Sequence, residues 1–262
     1  MKLLTPASYQ TKLRKTENGQ TEFSVFSLAL APADSAGGAT VCSHSVPSCR
    51  RFCVGGANSG MARVFASIMS ARTEKVKYLQ SDKEGFIAQL KREIRLAEIA
   101  TTNQGRRMAV RLNSFSDLSV EDWGIMQETP SVVYYDYTKR LHRTVLPENY
   151  SLCYSWDGET AKNARGCLEL LERGFNVSVI FAQRGNGFCG SGALRQRIPQ
   201  RHRLPGSDRV WACFDGDEQD LRIRGIDPGP TKRGAGRICA LRLKTATETE
   251  RQAALPFCQI ID

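Results

Sequence analysis

Apolar positions along the chain recur with two different spacings. Short runs that are apolar almost throughout are typical of buried strands, and the clearest is "FNVSVIFA", Phe175–Ala182. Where apolar residues recur every three or four positions, as at Ile87, Leu90 and Ile94, the pattern predicts a helix. The predicted strands are Glu22–Ala31, Met108–Asn113, Ser131–Asp136, Ser151–Ser155, Phe175–Ala182 and Arg209–Phe214.

Predicted helices alternate with these strands. Asp82 is a suitable N-cap for the second long helix, and Gly174 ends the helix that precedes Phe175–Ala182. The segment "RICALRL", Arg237–Leu243, is expected to add a peripheral strand. The predicted helices are Met61–Leu79, Asp82–Ala100, a short helix capped by Ser119, and Glu159–Arg173.

This alternation predicts an α/β fold whose strands run parallel and are joined by right-handed crossovers. An open doubly wound sheet and a full or partial barrel both satisfy it, although six strands are fewer than a complete eight-stranded barrel needs. Parallel α/β folds place their sites at the carboxyl ends of the strands. The polar residues that follow the predicted strands are Asn113, Asp117, Asp136, Lys139, Ser155, Asp157, Gln183, Arg184, Asp215 and Asp217.

Composition limits the class of protein. The apolar fraction of 41% and the charged fraction of 24% are ordinary for a globular chain, which excludes disordered and fibrous classes. No stretch approaches the roughly 20 apolar residues that span a bilayer. The N-terminus, "MKLLTPASYQTKLRK", lacks the apolar core of a signal peptide. We therefore expect a cytoplasmic protein with no membrane association.

The formal net charge of +10 is concentrated in the last third of the chain. A basic surplus favours a polyanionic partner through release of counterions, so a DNA or nucleotide substrate is expected. The alternative is a solvated basic surface that keeps the protein soluble. The residues concerned are Arg195, Arg197, Arg201, His202, Arg203, Arg209, Arg222, Arg224, Lys232, Arg233 and Arg237.

Cysteines fall into two groups. The total of nine is odd, and a cytoplasmic protein keeps its thiols reduced, so a disulfide framework is not expected. Six are scattered, mostly within apolar segments, where free cysteine packs as a small hydrophobe. The other three, Cys42, Cys49 and Cys53, occur together in "VCSHSVPSCRRFC", directly after the first predicted strand and a loop.

Three explanations fit the clustered thiols. Three thiolates can hold a [4Fe–4S] cluster at three of its irons and leave the fourth iron open. A structural zinc site needs four ligands, for which His44 could supply the fourth. The third explanation is that buried thiols cluster by coincidence. A separate candidate is a divalent-cation hydrolase that uses the acidic stretch "DGDEQD" with Asp215, Asp217 and Asp220, which lacks the full calcium-loop pattern.

The loop C-x6-C-x3-C after a first strand resembles the radical S-adenosylmethionine (SAM) superfamily. More closely, the chain resembles the phage gene-product-88 family. The similarity extends from about Ala31 to Arg224. The matching stretches are "VCSHSVPSCRRFCVGG", "RLNSFSD" (Arg111–Asp117), "YYDYTK" (Tyr134–Lys139) and "FDGDEQDLR" (Phe214–Arg222).

This resemblance implies one domain over residues 1–262. A partial (β/α)6 barrel occupies about 22–224, and a basic C-terminal segment, about 225–262, lies at its periphery. It further implies a [4Fe–4S] cluster on the three clustered cysteines, with SAM bound at the open iron. The implied contacts to SAM are Gly55, Gly56, Asn58 and Asn113, and the implied catalytic residues are Asp117 and Asp136.

An enzyme of that superfamily cleaves SAM with an electron from an external reductant and uses the 5′-deoxyadenosyl radical to abstract hydrogen from its substrate. For a phage protein with a basic face, the resemblance implies an isomerase or other modifying enzyme that acts on a modified thymine base in DNA, in the host cytoplasm. The competing hypothesis is a nucleic-acid-binding protein with a structural zinc or Fe–S site and no catalysis. A fourth protein ligand would favour that alternative.

Overall fold

A computed structural model of the chain describes residues 1–19, 22–56, 66–183, 198–218, 220–224, 237–243 and 248–261. In these residues, ten strands form a sheet. The strands are β1 (Leu4–Pro6), β2 (Phe23–Leu28), β3 (Arg107–Arg111), β4 (Val133–Thr138), β5 (Tyr150–Ser155), β6 (Asn176–Gln183), β7 (Arg201–Arg203), β8 (Val210–Asp215), β9 (Ile238–Arg242) and β10 (Gln259–Ile261).

Helices connect or flank these strands. The α-helices are α1 (Thr11–Gly19), α2 (Pro47–Arg51), α3 (Ala66–Ser81), α4 (Lys83–Asn103), α5 (Ile125–Glu128), α6 (Ala161–Glu172) and α7 (Glu248–Ala254). Short 3-10 helices cover Ala7–Tyr9, Val120–Trp123, Asp220–Arg224 and Leu255–Phe257. None of the helices in the described part of the chain is both long and apolar enough to cross a membrane.

The α/β class and the parallel strands predicted from the sequence are confirmed. The strands lie in the order β1-β2-β3-β4-β5-β6-β9-β8-β7, and β10 pairs with the end of β6. All pairings from β2 to β8 in this order are parallel, whereas β1 and β7 add antiparallel strands at the two edges. The described strands form an open sheet, since β2 and β8 pair with different neighbours rather than with each other.

The predicted strand Arg237–Leu243 takes a different place from the one expected. It forms β9, which lies between β6 and β8 rather than at the periphery. Ile238, Cys239 and Ala240 are completely buried, as befits a strand with parallel neighbours on both sides and packing on both faces. The C-terminal segment therefore contributes to the centre of the sheet.

Two hydrophobic cores lie on the two faces of the sheet. On one face, helices α3, α4 and α6 pack over strand residues such as Val110 and Tyr134. The opposite face is covered by α1 through Leu13 and by the 3-10 helix Asp220–Arg224 through Leu221. Helical periodicity explains the first layer in part: Leu90 and Ile94 of the predicted apolar stripe of α4 are buried, together with Phe86, whereas Ile87 is half-buried.

The sheet is strongly curved, and the face covered by α1 is its concave face. The Tyr137 hydroxyl of β4 lies 3.7 Å from the Cys239 sulfur of β9. In a flat sheet these strands, three positions apart, would be separated by about 14 Å. Arg111 of β3 reaches Asp220, in the 3-10 helix that covers the same face, at 3.3 Å. The contact between β4 and β9 indicates that the sheet bends around this face.

Capping agrees in part with the sequence analysis. The Asp82 carboxylate accepts the Gly85 N–H at 2.8 Å and begins α4, as predicted. Ser119 precedes a short 3-10 helix but makes no side-chain capping bond. The first predicted helix is observed from Ala66 onward, and its predicted residues 61–65 lie outside the described residues.

Candidate metal centre

The clustered cysteines lie in the segment 42–53, referred to here as the cysteine loop, which follows β2 and contains α2. Cys42 comes fourteen residues after β2 ends, Cys49 is in α2, and Cys53 comes two residues after that helix ends. Pro47 occupies the first turn of α2, where its missing N–H costs no hydrogen bond. The loop therefore follows the carboxyl end of the first parallel strand, as the sequence predicts.

This loop is bonded to the residues that follow β3. The Asp117 N–H donates to the Val41 carbonyl at 2.8 Å. The Cys42 thiol donates to the Phe115 carbonyl at 3.4 Å and accepts the Ala33 N–H at 3.3 Å. The first cysteine is thus held between the carboxyl ends of β2 and β3.

The second half of the cysteine loop contacts residues farther along the same edge of the sheet. Glu159, which follows β5, accepts the Ser48 N–H at 2.6 Å and so satisfies a free donor at the start of α2. The Phe52 ring packs near the Phe257 ring of the C-terminal segment, with 6.3 Å between ring centroids. The cysteine loop consequently covers the carboxyl edge from β2 to the segment that leads into β10.

The three thiols are close enough to affect one another. Burial, together with the neighbouring Cys53 and Cys49 sulfurs, raises the pKa of Cys42 to about 11. Burial also raises the pKa of Cys53, with a further contribution from Cys49. A metal ion or cluster would reverse this preference, because it binds the deprotonated thiolate and releases the proton.

In the described residues, no three histidine, cysteine or carboxylate side chains are positioned to hold a metal ion as they stand. The donor set nevertheless fits a [4Fe–4S] cluster in number and chemistry, since three thiols share one loop and two of them interact electrostatically with both others. His44 lies on this loop between Cys42 and Cys49, and its ring centroid is 6.0 Å from that of His142; both histidines are exposed.

Gly55 and Gly56 form the turn after the last cysteine. The Gly56 N–H donates to the Cys53 carbonyl at 3.0 Å, and the Gly55 carbonyl accepts the Arg72 guanidinium at 2.8 Å. A Cβ on Gly55 would come within 2.3 Å of the Phe115 ring, so only glycine fits there. The Arg72 guanidinium also stacks on that ring at 4.3 Å. The expected contact of the two glycines with SAM stays a prediction.

Asn113 organises the loop after β3, and Asn58 lies outside the described residues. The Asn113 side-chain oxygen accepts the Ser116 hydroxyl and the Leu118 N–H, at 2.8 and 2.9 Å. Its amide nitrogen donates to the Leu118 carbonyl at 3.0 Å. With its polar atoms used in this way and the residue buried, Asn113 shapes the strand-end loop that holds Cys42.

Asp136 lies in the interior, within β4 and two residues before the strand ends. Its carboxylate accepts the Asn113 N–H at 2.7 Å and the Tyr150 hydroxyl at 3.1 Å, and the residue is completely buried. Burial raises the pKa of Asp136 to about 7, against the opposing effect of the Arg111 guanidinium. The sequence predicts that Asn113 and Asp136 lie close together at one edge of the sheet, and this proximity is observed.

Asp117 belongs to a second network at the same edge. Its carboxylate accepts the Thr138 hydroxyl at 2.7 Å, the Lys139 N–H at 2.9 Å and the Arg143 guanidinium at 3.1 Å. Arg143 is itself buried and also pairs with Glu121. The catalytic role expected for Asp117 and Asp136 stays a prediction; in the structure both position the loop around Cys42.

The acidic stretch after β8 is bound to cations. Asp215 pairs with Arg242 at 2.6 Å, and Asp217 accepts the Arg242 N–H at 2.8 Å. Asp220 is completely buried and pairs with Lys12 of α1 at 2.7 Å and with Arg111. Burial alone would raise the pKa of Asp220, but these two cations lower it overall. Internal ion pairing thus accounts for the three carboxylates of the hydrolase hypothesis.

Two residues beside the cysteines were missed by the sequence analysis. Arg72 lies three residues after Met69 and four before Val76, two side chains packed in the core, so helical spacing places it on the inward face of α3. The helical spacing of the sequence could therefore have identified Arg72 as an inward-facing residue. Glu159 carries no comparable signal, because its bond to Ser48 joins positions that are 111 residues apart.

The comparisons with known proteins give one result. The family model described as "Gene product 88" matches residues 2–248, which is most of the chain. No curated protein and no solved structure gives a significant match.

Proposed function

This chain belongs to the gene product 88 family, and from that premise we propose that it is a [4Fe–4S] enzyme of the radical SAM type with a phage origin. Its substrate in this proposal is a modified thymine base of DNA, which it isomerises or otherwise modifies. The curved, mostly parallel sheet supports the associated proposal of a partial (β/α)6 barrel, because side chains of β4 and β9 meet on the concave face.

One observation carries the proposal: three cysteine thiols lie within twelve residues, in the segment that follows the carboxyl end of the first parallel strand. Sites of parallel α/β folds are found at that edge. A catalytic cluster needs three protein thiolates and one open iron, whereas a structural zinc site needs four protein ligands. When bound, such a cluster supplies the electron that cleaves SAM.

The chain's own residues have distinct tasks in this proposal. Cys42, Cys49 and Cys53 hold the cluster as thiolates. The Arg72 guanidinium is held between the Gly55 carbonyl and the Phe115 ring, and it stabilises the turn after Cys53. It also places a positive charge beside the Cys53 sulfur. This charge offsets part of the negative charge of the thiolates.

The hydrogen bonds of Asp117 and Asp136 near the strand ends also hold the cysteine loop in place. The Asp117 N–H bonds to the Val41 carbonyl, next to the first ligand. Asp136 bonds to the Asn113 N–H and so holds the turn that contains Phe115. Since displacements of about 1 Å can cost a hundredfold in rate, we expect these carboxylates to control the position of the cluster loop relative to the substrate.

Iron and sulfide analysis after anaerobic purification tests the proposal. The protein should be brown and carry about four irons and four sulfides per chain. Cys49→Ala should lose the cluster, whereas the matched variant Cys258→Ala should keep it, because the Cys258 thiol instead donates to the Ala254 carbonyl within the C-terminal segment. Reductive formation of 5′-deoxyadenosine from SAM should follow the iron content. Wild-type protein with stoichiometric zinc and no labile sulfide would refute the cluster.

The alternative is a nucleic-acid-binding protein with a structural metal and no catalysis. The imidazoles of His44 in the cysteine loop and of the neighbouring His142 favour it, because either could complete a four-ligand zinc site. In that case His44→Ala should release the metal as completely as Cys49→Ala does. Under the Fe–S proposal, His44→Ala keeps the iron.

A further inference from the structure

Strands β7 and β8 form a short antiparallel ribbon with two different faces. Its three residue pairs are Arg201 with Ala212, His202 with Trp211, and Arg203 with Val210. Because side chains alternate along a strand, the two arginines share one face with Ala212 and Val210.

The opposite face of the ribbon is anchored in the protein. Trp211 is almost completely buried in the main core. The His202 ring meets the Phe181 ring of β6 edge-on, with 4.9 Å between centroids, and its Nε2 lies 3.4 Å from the Gln259 side-chain oxygen of β10. The ribbon is therefore fixed, and its arginine face is directed outward.

That outward face carries uncompensated positive charge. Arg201 and Arg203 are exposed, and within the described part of the chain neither forms an ion pair. Arg209 lies over the Trp211 ring, 5.9 Å from its centroid, and so belongs to the anchored side of the ribbon. Val210, which pairs with Arg203, is 39% exposed, although it is a large aliphatic side chain. The turn of the ribbon contributes one carboxylate, Asp208. Exposed cations around a small apolar surface suit a polyanion that also offers apolar groups.

We propose that the outward face of the β7–β8 ribbon is a docking surface for double-stranded DNA. The choice of DNA as the partner rests on the proposed function. The two strands of a ribbon lie about 5 Å apart, and the major groove of B-DNA, about 12 Å wide, admits such a ribbon. Guanidinium groups bind phosphates and guanine edges, and small apolar side chains contact thymine methyl groups. The ribbon offers both kinds of group.

Its place in the fold suits a DNA substrate. The buried face of the ribbon contacts β10 through Gln259, and the segment before β10 packs on Phe52 of the cysteine loop through Phe257. The ribbon is thus linked through one short segment to the loop that would hold the cluster.

Fluorescence anisotropy with a short labelled duplex, over a range of salt concentrations, tests this surface. For the full-length variant Arg201→Ala/Arg203→Ala, the slope of log K against log[salt] should become shallower by about 1.8, because two phosphate contacts are lost. The affinity should fall roughly tenfold or more. The thermal midpoint should stay that of wild type, since both side chains are exposed.

The matched control is Lys83→Ala/Arg92→Ala on α4. It removes the same charge from exposed positions on a helix that packs against β1 and β3, far from the ribbon in the sheet. We expect this variant to retain the wild-type slope. Equal slopes for the two double variants would overturn the proposal and leave only a general effect of net charge.

Further binding measurements test which type of nucleic acid is preferred and whether binding depends on the cysteine loop. Single-stranded DNA and duplex RNA of the same length should bind more weakly than duplex DNA, and tighter binding of either would overturn the proposal. The variant that lacks the loop cysteines at 42, 49 and 53 should bind duplex DNA as wild type does. DNA docking can thus fail while the iron assay succeeds, or succeed while that assay fails, so the two proposals are distinguished.

Discussion

Asp136→Asn should change how the stability of the protein depends on pH. Asn is close to the protonated acid in shape: its oxygen can accept the Asn113 N–H, and its amide can donate to the Tyr150 hydroxyl. Unlike the acid, it cannot ionise inside the fold. Comparing the two proteins at each pH isolates this one carboxyl from other groups that titrate.

The size of this change in stability follows from the difference between the folded-state and unfolded-state pKa of Asp136. The folded-state pKa of Asp136 is about 7, above the value of about 3.9 in an unfolded chain. A raised pKa means that the contribution to stability is complete below about pH 4 and is lost as pH rises through about 7. Three pH units correspond to about 4 kcal/mol, of which about 2.5 kcal/mol is lost between pH 5 and pH 8.

Urea unfolding of iron-free protein at several pH values measures this effect. The free energy of unfolding of wild type minus that of Asp136→Asn should fall by about 2.5 kcal/mol between pH 5 and pH 8. A difference that does not change with pH would refute the reasoning. It would mean that the Arg111 guanidinium, 4.0 Å from the carboxylate, compensates the cost of burial in full.

Two further substitutions test the surroundings of the cysteine loop. Gly55→Ala should lower both the thermal midpoint and the iron content of reconstituted protein, because the added methyl group collides with the Phe115 ring; wild-type iron content would show that the loop can move away. Arg143→Met should lower the free energy of unfolding by about 3 kcal/mol in denaturant titrations, since it leaves the Asp117 and Glu121 carboxylates without their buried partner. A loss below about 1 kcal/mol would show that water replaces the guanidinium.

Some interactions at the candidate site were beyond any local pattern. Helix α1 has a mostly polar sequence and was not predicted, yet Leu13 is buried and Lys12 pairs with Asp220, more than 200 positions later. The link between Glu159 and Ser48 is of the same kind. In each case the two residues come together only in the folded sheet, so no spacing along the chain predicts the contact.

The amino-acid sequence by itself determined the central strands, their parallel arrangement and the long helices, because buried strands and amphipathic helices each have their own apolar period. It also determined that the three clustered cysteines follow the first parallel strand, since that is a matter of order along the chain. The strand order was decided only by the tertiary structure. All central strands are similarly apolar, so nothing local places β9 between β6 and β8. Curvature was decided there too, because it arises from packing between distant strands such as those of Tyr137 and Cys239.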